Sequence, residues 1–109
     1  MKFYEFVQKE KIINEINKLE NCDILTNFQK EIFKININEK INVPKLDKKA
    51  IKTALKFLTK KFNLKDSDFK YIGYTDLGML KKGAKLLQFN IINDKHKSYK
   101  STVAFKYGM

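Results

Sequence analysis

The chain has 109 residues, 43% of them hydrophobic, and a formal net charge of +11. That length fits one domain, and that apolar fraction is enough to bury a core, so an intrinsically disordered chain is excluded. No apolar run approaches the ~20 residues that span a bilayer, and a single cysteine, Cys22, excludes an internal disulfide or a multi-cysteine zinc site.

Residues 3–20 carry the apolar period of an amphipathic helix. Phe3, Phe6, Val7, Ile13, Ile16 and Leu19 fall near one face, Ile12 widens the stripe, and Glu5, Lys9, Lys11, Glu15 and Lys18 lie largely elsewhere. The early Glu5 and the lack of a continuous apolar core in MKFYEFVQKEK read against a signal peptide, so the cytoplasm is the expected compartment. Asn21 is the expected stop, and NCDILTN, residues 21–27, a short connection or a first edge strand.

FKININEKINV, residues 33–43, alternates apolar and polar side chains. Phe33, Ile35, Ile37, Ile41 and Val43 share one parity, which predicts a hairpin turning at Asn38–Lys40 or one longer strand. Pro44 ends it, since proline cannot donate to a ladder. Asp47 is then the expected N-cap of a second helix running to about Phe62. Its buried stripe is read as Ile51, Leu55, Leu58 and Phe62, joined at the side by Ala54 and Phe57. Lys45, Lys48, Lys49, Lys52, Lys56 and Lys60 span a sector of about 120° on the other side, with Lys61 outside it and snorkelling.

The final third predicts a β-meander. FKYIGYT at 69–75 is one strand, KKG at 81–83 a three-residue hairpin loop with Gly83 left-handed, and AKLLQFNII at 84–92 the next strand. A polar turn, NDKHK at 93–97, leads into SYKSTVAFKY at 98–107. The expected fold is a single small α+β domain over residues 1–109. In αββαβββ order, two amphipathic helices pack on the apolar face of an antiparallel sheet.

The charge is unevenly placed. Residues 1–43 hold seven lysines and seven acids, whereas residues 44–109 hold sixteen lysines and five acids and so supply the entire excess. Every cation is lysine, so the chain lacks the bidentate arginine fork that reads guanine edges. Lysine is a point charge suited to backbones, so any nucleic-acid contact, to DNA or RNA, is expected to have weak sequence specificity. The richness in lysine, asparagine and isoleucine also fits an AT-rich coding sequence.

Catalytic motifs fail on inspection. GMLKKGAK, residues 78–85, has the glycine spacing of a phosphate-binding loop at Gly78 and Gly83. It then gives Ala84-Lys85-Leu86 where lysine and a hydroxyl residue must follow, and leads into a strand rather than a helix. VAFK, residues 103–106, resembles a kinase lysine strand in a chain too short for the rest of that machinery. His96, the sole histidine, has Asp94 nearby but too few partners for zinc and no nucleophile beside it, and Lys95 and Lys97 disfavour a cation. Asp23 beside Cys22 disfavours a thiolate. DSD at 66–68 reads as a turn or cap, and no cofactor, metal or enzymatic activity is expected.

Aromatic and basic residues interleave in FKYIGY and YKSTVAFKY, as in a single-strand stacking platform, but Phe105 and Tyr107 point away from Lys100 and Lys106. Tyr74 and Lys70, of like parity, remain the best exposed pair. The lysine sector is the stronger signal, because no acid lies between Lys48 and Lys65, and solvated faces ordinarily mix signs. Lys65, Lys81, Lys82 and Lys85 extend the patch if the hairpin lies beside the helix.

These features lead to the expectation of a small non-enzymatic protein that contacts nucleic acid or a nucleoprotein, with a size and composition that suit a phage or mobile-element accessory protein. The alternative is a protein–protein inhibitor or adaptor, for example an anti-defence inhibitor, that covers an acidic surface or adds a strand at a sheet edge. A membrane partner is not expected, since the helix's apolar stripe is needed by the core.

Overall fold

The computed structural model describes the backbone of residues 3–33 and 45–108, and the side chains of residues 9–33 and 48–108. In chain order the elements are α1 (Phe3–Lys18), β1 (Cys22–Ile24), α2 (Asn27–Ile32), α3 (Lys45–Phe62), a short 3-10 turn (Asp66–Asp68), β2 (Phe69–Asp76), β3 (Lys85–Ile91) and β4 (Thr102–Tyr107). The strands form one antiparallel sheet in the order β1-β4-β3-β2. The α+β class is therefore as expected from the periodicities.

The helices divide between the two faces of the sheet. Ala50, Ala54 and Leu58 of α3 pack on Phe69, Leu87, Phe89, Ile91, Val103 and Phe105. On the opposite face Ile16 of α1 and Leu19, just past its end, meet Leu77, Ala84, Leu86 and Ala104 together with Leu25 and Phe33. The central strands allow this because both of their parities are apolar: Leu86 beside Leu87 in β3, and Ala104 between Val103 and Phe105 in β4. A strand covered on both faces reads as an apolar run rather than an alternation.

Several local expectations change. Thr26 and Gln29 form a capping box that starts α2: the Gln29 N–H donates to Thr26 Oγ1 and the Thr26 N–H to Gln29 Oε1, each at 3.0 Å. Gln29 Nε2 then donates to Glu15 Oε1 at 3.4 Å, tying α2 to α1. Phe33, read as the first residue of a strand, is the buried C-cap of this helix, and the rest of that proposed hairpin, residues 34–43, lies outside the described residues. α3 begins at Lys45, so Asp47 stands inside its first turn rather than at the N-cap.

The β2–β3 connection is longer than the three residues KKG. The ladder closes where the Leu77 N–H donates to the Ala84 carbonyl at 2.8 Å, because Leu77, Leu80 and Ala84 fold inward onto the α1 side. Gly83 does take the left-handed conformation, at φ 83°. Before β4, residues 98–101 curl into successive turns instead of extending the strand, with Lys100 at φ 70°.

A β-bulge breaks the parity of β2. Lys70 pairs with Asn90 and Tyr71 with Phe89, but Gly73 pairs with Gln88 and Tyr74 with Leu87, which leaves Ile72 as the extra residue. Gly73 takes φ 140° there, a backbone region that favours glycine. Tyr74 therefore shares the α3 face with Leu87, packed against its core, while Lys70 falls on the other. The pairing of Tyr74 and Lys70 on one exposed face does not survive the bulge.

Candidate functional site

The position of α3 follows from its two alanines. Their small side chains let the helix backbone approach the sheet, so the contact line runs along Ala50, Ala54 and Leu58. Ile51, Leu55 and Phe62, read from sequence as the centre of the stripe, are only partly buried at its flank. This rotation has an electrostatic consequence. At 100° per residue the sector holding Lys48, Lys49, Lys52, Lys56 and Lys60 is centred about 180° from Ala54, so the lysines face directly away from the sheet.

All five of those lysines are exposed. Lys18 pairs with Glu15 at 2.8 Å and Lys61 with Glu20 at 3.0 Å, and among the described residues none of the five is held in an ion pair. From Lys48 to Lys60 the row extends ~18 Å at the helical rise. Thr53 and Thr59, which interrupt it, donate their hydroxyls to the carbonyls of Lys49 and Lys56. Lys45 opens α3 at its N-terminus, and its side chain lies outside the described residues.

Lys61 has a different task. Its ammonium donates to Glu20 Oε2 and to the Cys22 carbonyl, clamping the end of α3 to the start of β1. Burial would lower its pKa, but the Glu20 hydrogen bond and the charges of Asp23, Cys22 and Glu20 more than offset that and hold it above its ordinary value. The same contact protects the sheet edge. Hydrogen bonds from Leu25 N–H to Thr102 and from Lys106 N–H to Asn21 turn the odd residues of this segment toward β4, leaving Cys22 and Ile24 facing outward. The Cys22 carbonyl takes Lys61 and the Ile24 N–H donates to Asp23 Oδ1 at 2.9 Å, so these outward groups are occupied by charged side chains.

The remaining candidates lie on other elements than α3. Asn63, at φ 55°, ends α3 in the left-handed conformation that commonly closes helices, and Leu64 N–H reaches back to the Thr59 carbonyl. Lys65 follows this cap, exposed and next to Asp66 and Asp68. Lys81 and Lys82 are exposed on the β2–β3 connection, whose apolar residues belong to the α1 face. Lys85 starts β3 on the α3 face, with its ammonium 4.7 Å from the Tyr74 ring centroid.

His96 is explained by structure: its Nδ1 accepts from the Ser98 N–H at 3.0 Å, and its ring meets Phe62 edge-on. Burial pushes the Cys22 thiol above its ordinary value, and nearby Lys61 only partly opposes this. No group of three or more metal-ligating side chains occurs among the described residues. No described helix is long and apolar enough to cross a membrane.

Phe57 escapes the sequence reading. It was placed at the side of the buried stripe, yet it is 46% exposed and stacks on the buried Phe105 with ring centroids 5.2 Å apart. The alanines at 50 and 54 are the signal that locates it, because a contact line centred on them leaves residue 57 at the helix flank. No protein-family model, curated protein or solved structure matches the chain.

Proposed function

We propose that this protein is a small cytoplasmic, non-enzymatic binding protein that grips the phosphate backbone of nucleic acid, free or in a nucleoprotein, through the lysine face of α3. One observation carries the reading: Lys48, Lys49, Lys52, Lys56 and Lys60 are exposed on one helix face, with no acid in the sequence between Lys48 and Lys65, and none of the five is in an ion pair with a described residue. Phosphate neutralisation releases condensed counterions, which yields affinity with little base readout. The all-lysine cation set suits that mode. The composition is compatible with a phage or mobile-element accessory role.

Fluorescence anisotropy with labelled DNA and RNA across salt concentrations tests this. Five contacting lysines give a log–log salt slope of about −3.5 for single strands, so affinity falls roughly 100-fold between ~50 and ~200 mM salt. Absence of binding at ~50 mM salt sinks the proposal, because the electrostatic term is largest there. The strand-addition form of an inhibitor has less support at β1, where the Cys22 carbonyl already holds Lys61 and the Ile24 N–H already holds Asp23. One stoichiometric protein captured through an acidic surface, together with no nucleic-acid binding, would favour the inhibitor reading.

A further inference from the structure

We infer that α3 discriminates single-stranded from double-stranded nucleic acid, with Phe57 as a stacking surface for an unpaired base at the rim of the lysine row. The inference rests on the proposed phosphate-binding role of that row and adds to it the class of strand it takes.

Phe57 is 46% exposed on an element otherwise charged on its outer side. Its inner face is held by Phe105, at a centroid distance of 5.2 Å and an interplanar angle of 27°. Phe105 is itself 4% exposed and anchored in the α3-facing core, so the outer ring is backed by a fixed one. Backing of this kind pre-organises a stacking surface, because little rotamer freedom is left to lose on binding.

The neighbours of the ring supply the charge. On the helical wheel Phe57 lies about 60° from Lys60, at i+3, and about 100° from Lys56. Lys61, at i+4, is committed to Glu20 and the Cys22 carbonyl and does not compete for phosphate. A strand whose phosphates follow Lys52, Lys56 and Lys60 brings its bases to the helix flank where the ring stands. Each base of a single strand has an available π-face, so such stacking tolerates any sequence. In a duplex those faces are already stacked, and reaching one requires unstacking a base pair. The phosphate row serves both forms, and the ring serves only the single strand.

The test uses a 12-nucleotide thymidine strand and a 12-nucleotide abasic strand of equal phosphate number, with a 12-base-pair duplex, which carries twice as many phosphates, as the probe whose affinity Phe57→Leu should leave unchanged, all at ~50 mM salt. The unmodified protein is expected to bind the thymidine strand about tenfold more tightly than the abasic strand. In Phe57→Leu, which keeps an apolar cover over Phe105, that difference should vanish while the salt slope stays the same. Melting curves of the variant confirm that the fold is intact. Equal affinity of the unmodified protein for thymidine and abasic strands, with the salt slope retained, overturns the stacking role and leaves the phosphate reading standing. An undiminished preference in Phe57→Leu overturns it as well. No binding to any probe overturns both.

Discussion

Lys52→Glu separates a face shaped for a polyanion from one that is merely solvated. Lys52 is exposed midway along α3, one turn from Lys48, Lys49 and Lys56, with no acid in that neighbourhood. Like charges at i,i+4 destabilise a helix by about 0.2–0.5 kcal/mol per pair, and opposite charges stabilise it by a similar amount. Reversal at Lys52 converts two such pairs, with Lys48 and Lys56, from repulsive to attractive. The gain is about 1 kcal/mol at low ionic strength, or a rise of roughly 4 °C in Tm for a domain of this size. It should shrink toward zero at ~1 M salt, where the Debye length is ~3 Å. The same change removes a phosphate contact, so the single-strand salt slope should become shallower by at least about 0.7 and affinity at ~50 mM salt should drop. Thermal unfolding by circular dichroism and anisotropy titration, on the same preparation, read the two effects. Stability and binding are expected to move in opposite directions. A variant that gains stability and binds nucleic acid unchanged refutes the functional role of the lysine row. One that loses stability refutes the repulsion argument itself.

Lys61 gives the complementary result. Lys61→Met removes its bonds to Glu20 and the Cys22 carbonyl, but the Glu20 side chain is 77% exposed, so the ion pair is heavily screened. A loss of about 1–2 kcal/mol is expected, mostly from the carbonyl contact, with the salt slope of binding unchanged. In a double-mutant cycle with Glu20→Gln the coupling should stay below ~1 kcal/mol, and a larger value would place the energy in the ion pair instead. Leu58→Ala empties a fully buried site beneath α3 and should cost about 2–5 kcal/mol in urea unfolding. Cys22 should react slowly with a disulfide reagent at pH 8 in the native protein and rapidly once unfolded, because burial raises its pKa and leaves less thiolate. A raised thiol pKa also means that its contribution to stability is intact below the ordinary value of 9.0 and declines as pH climbs through the higher folded value. Equal native and unfolded reaction rates at pH 8 would contradict that burial.

Most of the secondary structure was legible because it is written in local periodicity. The 3.6-residue pattern of α1 and α3, the aromatic run of β2 and the left-handed Gly83 each depend on near neighbours. Even α2 was readable in principle, since Thr26 and Gln29 have the spacing of a capping box. The lysine row was equally open to view, as it needs only the helix period and a count of charges. What tertiary structure alone decided is how these elements face one another. The bulge at Ile72 put Tyr74 and Lys70 on opposite sides of the sheet, although their spacing implies one side. The alanine contact line turned the lysines outward and left Phe57 on the rim, stacked on Phe105 from a strand far along the chain. Lys61, outside the lysine sector by helical period alone, found its partners in Glu20 and the Cys22 carbonyl, some forty residues upstream. Periodicity states which residues share a face of one element. Only packing, through the closest approach that small side chains and bulges permit, states what that face meets.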